Sequence, residues 1–408
     1  MRIAIVGSGV AGLVVAHRLH RRHDVTLFEA NDHVGGHVNT IPLTLDGVNR
    51  EVDTGFIVYN ERNYPHFTAL LAELGVATQP TTMSFSVRSD ISGLEYNGTS
   101  INQLFVQRSN ILRPRFYRML RDILRFNREA PAAVAAGTAA GTLGGYLDAA
   151  GFGPELVRDY LVPMASALWS MPPASVRDMP AAFLVRFFDN HGMLTVDDRP
   201  EWRVVQGGSQ RYVSALTAPF RGRIRTSTPV GEVRRHATHV TVNGETFDRV
   251  VLACHSDDAL ALLADATPLE REVLGALPYQ ENDVVLHCDD TILPSRRRAW
   301  GSWNYRIPAQ PGAPAVVTYN MSMLQSLPGT PTFCVSLNAG DLVRRDKVYR
   351  RFRYRHPVYT TAGMVAQRRH AQISGGRTHF CGAYWGYGFH EDGVRSALTV
   401  VAALDADA

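Results

Sequence analysis

The stretch that decides the fold is residues 2–29, RIAIVGSGVAGLVVAHRLHRRHDVTLFE. Residues 2–6 form a short apolar run rich in β-branched side chains, which is typical of a buried parallel strand. A glycine-rich turn follows and opens a helical pattern that continues to about Arg22. A second predicted strand, residues 25–28, ends at Glu29. This order of strand, glycine turn, helix, strand and acidic residue predicts a dinucleotide-binding unit.

Each part of this unit has a predicted task. Gly7 makes the tight turn, Gly9 lets the backbone approach a pyrophosphate, and Gly12 allows the helix to pack closely on the strand. The phosphates are expected at the helix N-terminus, where free N–H groups and the helix dipole favour anions. Glu29 is expected to accept hydrogen bonds from the adenosine ribose hydroxyls and to disfavour a 2′-phosphate. The neighbouring residues predicted to contact the same dinucleotide are Ser8, Val10, Ala11 and Ala30.

A second glycine motif narrows the choice of dinucleotide. Gly35, Gly36 and His37 come six residues after Glu29, and VDTGFIVYN follows at residues 52–60. This arrangement resembles the flavin-binding oxidoreductases of the amine oxidase, protoporphyrinogen oxidase and phytoene desaturase superfamily. The resemblance implies noncovalent FAD, with electrons entering and leaving through one substrate-side cavity, and no second GxGxxG unit for NADPH is present. The further FAD contacts that it implies are Thr54, Gly55 and Phe56.

The resemblance extends over almost the whole chain. Residues 202–213, WRVVQGGSQRYV, look like the strand and GG turn that lead back into the FAD domain. Val230 is expected either to pack on the adenine or to be an ordinary core valine. Residues 378–398 resemble the last strand, glycine-rich turn and helix, whose N-terminus points at the flavin in relatives and stabilises negative charge there. The contacts implied in this segment are Gly382, Asp392, Gly393 and Val394.

One bacterial subgroup is most similar in these motifs. Its members are described as predicted NAD/FAD-binding proteins associated with cyclopropane-fatty-acid-synthase-like methyltransferases. The resemblance therefore implies a small lipophilic substrate and a place in lipid metabolism.

The expected fold class is α/β, with a Rossmann-like FAD-binding domain on a parallel sheet and a mixed α+β substrate domain. The FAD domain is predicted to be discontinuous, over residues 1–85, 200–270 and 362–408. The substrate domain takes residues 86–199 and 271–361, and it includes helical patterns at 111–128 and 153–190. An Ala/Gly-rich stretch separates these two patterns, and the domains are expected to share a ligand-binding interface.

Composition excludes several functional classes. The 42 basic and 38 acidic residues of the 408-residue chain leave a formal charge of only +4, which argues against nucleic-acid binding. Four scattered cysteines without a CxxC pair predict neither a zinc site nor a disulfide framework, and they favour a cytoplasmic protein. No stretch approaches the roughly 18 apolar residues of a membrane span.

Candidates for the chemistry lie near the predicted flavin. Tyr384 and Trp385 either form a wall of the substrate pocket or are ordinary core aromatics. His390, ahead of His356 and His37, is the candidate base, because histidine titrates near neutral pH, but a structural role carries more weight for any single histidine. Many amine oxidases hold a water on a lysine near flavin N5, whereas the only lysine here, Lys347, lies in an arginine-rich segment. A covalent flavin link through Cys381 is disfavoured, since a buried free cysteine is commoner.

A basic stripe is predicted on residues 108–128, where seven arginines accompany one acid. Arg118, Arg121, Arg125 and Arg128 recur at helical spacing. Such a helix either is an ordinary solvated face or rests on anionic headgroups at the inner membrane surface. The oligomeric state stays open.

Four functions are compatible with these patterns. The leading one is an FAD-dependent oxidoreductase that transfers a hydride from a lipophilic substrate, such as a modified fatty acyl chain, to flavin N5. The alternatives are a redox-neutral double-bond isomerase, an amine oxidase that produces hydrogen peroxide, and a flavoprotein that acts only as a binding partner. Fold analogy alone does not separate them.

Overall fold

The structure is a computed structural model that describes residues 1–195, 199–310 and 316–406. The chain forms two compact units. The first comprises Met1–Gln79, Val205–Pro278 and Ala362–Ala408, and the second comprises Pro80–Val204 and Tyr279–Thr361. The boundaries predicted from the sequence lie at residues 85, 200, 270 and 362. The α/β fold with separate parallel and mixed sheets is confirmed.

A five-stranded parallel sheet forms the centre of the first unit. Its middle strand, Arg2–Val6, carries the fully buried side chains Ile3, Ala4 and Ile5, because apolar layers cover both of its faces. The strands follow one another across the sheet in the order Ile224–Arg225, Asp24–Phe28, Arg2–Val6, Arg249–Leu252 and Thr378–Phe380.

The helix Val10–Leu19 lies on one face of this sheet and packs against the helix His390–Ala406. Small sheets are formed by the hairpin Thr40–Leu45 and Val48–Asp53 and by the strands Val233–Arg235, Val240–Val242 and Glu245–Phe247. The other helices of this unit are Pro65–Glu73, Gln210–Thr217, Ser256–Leu262, Pro268–Gly275, Thr361–Gln367 and His370–Ile373, with 3₁₀ turns at Ala218–Arg223 and Ala383–Trp385.

A seven-stranded mixed sheet organises the second unit. All of its neighbouring strands are antiparallel except Phe85–Ser89 and Trp303–Ile307, which run parallel. The order is Val348–Pro357, Tyr279–His287, Cys334–Leu337, Val316–Asn320, Trp303–Ile307, Phe85–Ser89 and Glu95–Asn97. Of three further short strands, Tyr59–Asn60 belongs to the first unit, and Thr78–Thr81 and Trp202–Val205 each include a boundary between the units.

The helical part of the second unit differs in detail from the predicted pattern. The helix at the predicted 111–128 pattern, Pro114–Ala135, continues through Pro131 into the Ala/Gly-rich stretch. The helical pattern predicted at 153–190 is divided into several helices. Ser170 adopts a left-handed conformation with φ of 52°, and three prolines lie between residues 172 and 180. The α-helices here are Ile101–Leu104, Leu143–Ala149, Pro154–Leu156, Val162–Trp169, Pro173–Val176, Ala181–Asn190 and Met321–Leu324, with a π turn at Val157–Leu161 and 3₁₀ turns at Arg108–Leu112, Asp290–Ile292, Arg297–Ala299, Gly340–Leu342 and Arg345–Lys347.

No helix within the described residues combines the length and the apolar character that crossing a bilayer requires.

Candidate functional site

The glycine loop between the first strand and the first helix leaves an open helix N-terminus. Gly7 has φ of +104°, and its amide donates to the Phe28 carbonyl at 2.8 Å. Gly12 lies so close to this turn that a Cβ atom there would be 2.0 Å from the Gly7 carbonyl oxygen. Gly9 occupies the N-cap position, and it has no side chain that could accept hydrogen bonds from the first backbone amides of the helix. The buried residues Val10 and Ala11 therefore present backbone N–H groups suited to an anion.

Glu29 is buried at the end of the second strand, where four donors fix its carboxylate. The Ser8 amide and hydroxyl donate to Oε2 at 3.0 and 2.5 Å. The Asn31 amide and its side-chain Nδ2 both donate to Oε1 at 2.8 Å. Ser8 thus holds Glu29 in place, whereas the sequence predicted a direct contact with the dinucleotide. Sequence reasoning missed Asn31, although an amide side chain two residues after an acidic residue is a usable signal. Ala30 is exposed beside this pair.

The GG turn lies against the glycine loop. Gly36 has φ of +60°, and a Cβ atom there would be 3.0 Å from the Gly9 Cα atom. The Gly35 amide donates to the Ser8 hydroxyl at 3.2 Å. Two motifs that are separated in the sequence therefore meet at one point, as expected if both contact the same dinucleotide.

The segment after the Val48–Asp53 strand continues this wall. The Phe56 amide donates to the His37 carbonyl at 2.8 Å, and a Cβ atom at Gly55 would be 2.0 Å from that oxygen. The Thr54 amide and hydroxyl donate to the Asn39 carbonyl at 3.0 and 2.8 Å. Close backbone approach explains the glycine and fixes the position of the Phe56 ring.

Asp53 has no role in the prediction from sequence, yet it is fully buried at the centre of a polar network. Its carboxylate accepts the Ser209 amide at 2.9 Å, the Ser209 hydroxyl at 3.1 Å and the Thr40 hydroxyl at 2.5 Å. Burial is the main cause that raises the pKa of Asp53 to about 7, although these hydrogen bonds oppose the shift. The network joins the Val48–Asp53 strand to the QGGS turn at residues 206–209.

Asp53→Asn should flatten the pH dependence of stability. The folded pKa of about 7 exceeds the usual value near 4, so the folded protein binds this proton more tightly than the unfolded chain. This contribution is fully present below about pH 4 and lost above about pH 7, a change of about 4 kcal/mol in the free energy of unfolding. Urea unfolding between these pH values measures it. Asp24→Asn, at an exposed side chain, is the control; equal slopes for all three proteins would contradict the assignment.

His390, the candidate base, lies in an aromatic cluster at the start of the last helix. Its ring stacks on Phe56 at 3.5 Å between centroids and meets Phe67 edge-on at 5.4 Å. Nε2 hydrogen-bonds to the Tyr212 hydroxyl at 3.0 Å. Loss of solvation, with a smaller effect of His37, lowers the pKa of His390 well below its usual value. The imidazole is therefore a weak base. It packs its own segment against those of Phe56, Phe67 and Tyr212, which corresponds to the structural role that the sequence analysis weighed against catalysis.

The acidic pair at the start of the same helix holds backbone amides. Glu391 accepts the amides of His66 and Phe67 at 3.1 and 3.0 Å and so caps the Pro65–Glu73 helix. Asp392 accepts the amides of Tyr387 and Phe389 at 2.9 and 3.1 Å and pairs with Arg395 at 2.6 Å. Burial raises the pKa of Asp392 to about 6. Asp392 therefore shapes the turn before the helix, and Val394 is a buried core residue.

Gly393 of the His390–Ala406 helix lies close to the Val10–Leu19 helix, and its substitution is predicted to be destabilising. A Cβ atom there would be 2.6 Å from Val10 Cγ1. Gly393→Ala is expected to reduce the free energy of unfolding by about 1–3 kcal/mol. Val10→Ala removes the opposing atom, so the double variant should recover part of this loss in a double-mutant cycle. Additive effects in urea unfolding would show that the two residues do not touch.

Tyr384 and Trp385 pack into the first unit. The Tyr384 ring folds over Gly382, where a Cβ atom would be 2.4 Å from it. Trp385 lies 4.4 Å from the His370 ring and 4.9 Å from Tyr384 between centroids. Gln367 donates to the carbonyls of Tyr384 and Gly386 at 2.6 and 2.8 Å. These contacts correspond to the core-packing alternative, so a catalytic role for either aromatic residue stays a prediction.

Val230 lies near the adenosine end of the predicted site. The Thr228 amide donates to the Glu29 carbonyl at 2.9 Å, which brings the residues before Val230 alongside Glu29. Val230 is half-buried against the apolar layer on that face of the sheet. Both interpretations of Val230 therefore stay open.

Two features bear on cofactor attachment and metals. Burial raises the pKa of the Cys381 thiol well above its ordinary value and so suppresses the reactive thiolate.

Possible metal-ligand atoms of His255, Asp257 and Asp258 lie within 4.8 Å of one another, although the sequence predicts no metal site. The two aspartates occupy the first turn of the Ser256–Leu262 helix, where the helix dipole accounts for acidic side chains.

The residues that are brought together fit the FAD that the sequence predicts. A Cβ atom at Gly9 would meet nothing within 4 Å, so open space lies beside the uncapped helix N-terminus. Gly36 and the carboxylate of Glu29 flank the same loop. An anionic pyrophosphate suits the helix end and ribose hydroxyls suit a carboxylate. Every predicted cofactor residue belongs to the first unit, as do His390, Tyr384 and Trp385, whereas the further candidate base His356 lies in the second unit.

Comparison with known proteins gives a consistent result. The family described as "Flavin containing amine oxidoreductase" matches residues 10–293. A protein named as a flavin-containing monoamine oxidase, AofH of Mycobacterium tuberculosis, is 27% identical over 255 residues, which are 60% of this chain and 53% of AofH. The chain thus spans about half the length of that curated relative.

Solved structures share the whole fold. Cyclohexylamine oxidase from Brevibacterium oxydans has a TM-score of 0.70 at 16% identity and covers 100% of this chain and 99% of its own. A fatty acid isomerase from P. acnes that produces CLA has a TM-score of 0.68 at 16% identity and covers 98% of both chains. At such low identity these likenesses establish the fold and leave the reaction open.

Proposed function

The chain belongs to the flavin-containing amine oxidoreductases, and on that premise we propose that it is an FAD-dependent oxidoreductase that takes a hydride from a lipophilic substrate. A modified fatty acyl chain is the leading substrate class. FAD is the cofactor of the family, and it supplies a hydride acceptor at N5 when bound. The curated relative is a monoamine oxidase by name, so the substrate class rests on this chain's own residues.

The observation that carries the substrate class is the position of the only lysine. Lys347 lies in the Arg345–Lys347 turn before the Val348–Pro357 strand, which forms one edge of the seven-stranded sheet. Its carbonyl accepts the Cys288 amide at 3.0 Å. The chain therefore has no lysine in the central strands of that sheet for the water-holding role found in many amine oxidases. This favours a C–H bond of a lipophilic chain over the C–H bond next to an amine nitrogen as the hydride donor.

The residues of the first unit have distinct tasks in this proposal. Backbone amides at Val10 and Ala11 hold the pyrophosphate, and the Glu29 carboxylate orients the ribose and repels a 2′-phosphate. The positive N-terminal end of the His390–Ala406 helix would stabilise negative charge on a bound flavin, as the resemblance of its motif implies. Burial lowers the pKa of His390 well below its usual value and Tyr212 holds its Nε2 atom, so His390 is a poor proton acceptor and we assign the proton released with the hydride to water.

The test is an anaerobic visible spectrum of the purified holoprotein, titrated first with fractionated bacterial lipid and then with an amine panel. Bleaching of the oxidised-flavin band by a lipid fraction, with a product lighter by two hydrogens, supports the proposal. Bleaching only by amines, with peroxide released in air, overturns it in favour of amine oxidation. Flavin-free protein is the control for light scattering.

A redox-neutral isomerase is the second candidate, and the shared fold with the P. acnes fatty acid isomerase favours it. It predicts that a lipid fraction changes its double-bond position at constant mass while the flavin spectrum recovers without an electron acceptor. A flavin band that no fraction changes, with no altered product, indicates a flavoprotein that only binds a partner.

A further inference from the structure

Exposed apolar side chains are concentrated in one short part of the second unit. Nine large apolar residues are exposed among the described residues, and five of them lie between residues 101 and 124. Leu112 and Ile101 are the most exposed, at 86% and 80%. We call this region, with its arginines, the 101–128 surface. Its exposed apolar members are Ile101, Ile111, Leu112, Tyr117 and Leu124.

The Pro114–Ala135 helix has two opposite faces. One face buries Phe116, Met119, Phe126 and Ala130 at helical spacing. On the opposite face, apolar and basic residues alternate along the helix. Successive members of this series are four, three and four residues apart in the sequence. These outward residues are Tyr117, Arg121, Leu124 and Arg128.

The structure divides the basic stripe predicted from the sequence into two pairs. Arg118 pairs with Glu155 at 2.8 Å, and the Arg125 guanidinium lies 3.9 Å from the centre of the Phe152 ring. These two arginines hold the helix to the following segment. Arg121 and Arg128 stay 71% and 75% exposed although each contacts an acidic neighbour. This second pair is the more exposed one, since the side chains of Arg118 and Arg125 are 49% and 29% exposed.

The elements before the helix extend the same surface. Arg108 donates to the Asn102 side chain at 2.6 Å, which joins the Arg108–Leu112 turn to the Ile101–Leu104 helix. The Phe105 ring contacts Phe116 and Tyr117 at 5.3 and 6.0 Å between centroids. The elements that carry the exposed apolar side chains are therefore joined to one another.

Charge is segregated onto this surface. Residues 101–128 contain seven arginines and one acid, Asp122, which gives them a net charge of +6, whereas the whole chain carries +4. The remainder of the chain is therefore net negative. Two such surfaces repel each other, which disfavours a second copy of the chain as the occupant. Isolated aliphatic side chains among arginines suit a bilayer, where the arginines meet anionic headgroups and the aliphatic tips enter the acyl boundary.

We propose that the 101–128 surface docks the protein peripherally on an anionic phospholipid bilayer. The Arg121 and Arg128 side chains bind headgroup phosphates, while Leu112 and Leu124 insert below them. This inference is independent of the reaction proposed above, because it rests only on residues of the second unit.

The experiment is sedimentation of the holoprotein with vesicles of phosphatidylcholine alone or with about one-third phosphatidylglycerol, at about 50 and about 500 mM salt. We expect binding only to the anionic vesicles, weakened at high salt. Arg121→Glu with Arg128→Glu should lower the partition coefficient at least about 30-fold, since each arginine contributes roughly a factor of five. Leu112→Ser with Leu124→Ser should lower it about tenfold.

Matched controls separate the surface from bulk properties. Arg234→Glu with Arg271→Glu makes the same change in net charge at exposed positions elsewhere. Ile91→Ser with Val365→Ser removes exposed apolar side chains outside the surface. Flavin content and light scattering verify the fold and the oligomeric state of each variant. The proposal is overturned if the control pairs lose as much vesicle binding as the surface variants. It is also overturned if both surface variants still bind neutral vesicles, or if the protein self-associates through this face.

Discussion

The Gly12→Ala variant is expected to emerge from purification without bound flavin. The new Cβ atom would lie 2.0 Å from the Gly7 carbonyl and 3.1 Å from Ala253 Cβ. The Gly7 turn cannot retreat, because its amide is bonded to Phe28. The helix must therefore shift away from the strand, which misplaces its N-terminus and costs about 3 kcal/mol or more of stability. The ratio of flavin to protein absorbance measures the first effect and urea unfolding the second.

Gly222→Ala is the matched control for this prediction. A Cβ atom at Gly222 would meet nothing within 4 Å, so this variant should keep its flavin and its stability. If Gly12→Ala retained flavin as Gly222→Ala does, the loop would not be the pyrophosphate site.

The Glu29→Gln variant is expected to bind FAD about 100-fold more weakly. Two oxygens now accept four donors from Ser8 and Asn31. An amide offers one oxygen, so at least one backbone N–H is left unsatisfied in a buried position, at about 1–3 kcal/mol. The distorted loop and the lost charge both weaken ribose binding. Quenching of free FAD fluorescence on reconstitution measures the affinity.

The control for Glu29→Gln is Glu272→Gln, which removes an exposed carboxylate paired with Arg369. Exposed pairs contribute about 0–1 kcal/mol, so this variant should bind FAD normally. Urea unfolding of flavin-free protein shows how much of the Glu29 effect is stability. An unchanged FAD affinity in Glu29→Gln would exclude the carboxylate from the ribose site.

The parts of the fold that the sequence predicted best are encoded locally. The strand, glycine turn, helix and Glu29 occupy 28 consecutive residues, and each residue type suits a backbone requirement of that unit. The GG turn was also recognisable, because positive φ at Gly35 and Gly36 excludes most side chains. Local sequence therefore predicts a dinucleotide-binding unit, and the resemblance to the flavin-binding oxidoreductases specifies FAD.

Features made by distant segments were not predictable in the same way. Asp53 gains its role from Ser209, which is 156 positions away. His390 has a residue type suited to catalysis, but Phe56, Phe67 and Tyr212 decide its environment. Helical periodicity at 153–190 indicated helices but could not show that Ser170 would adopt a left-handed conformation and divide them.

The discontinuity of the first unit determines when it can be completed during synthesis. The strand Arg2–Val6 leaves the ribosome first, yet its partner Arg249–Leu252 follows about 250 residues later. The helix His390–Ala406, which covers Val10–Leu19, follows later still. At roughly 5–20 residues per second this interval is on the order of 20–80 s. The first unit therefore lacks part of the apolar cover of its first helix until residues 390–406 have been synthesised.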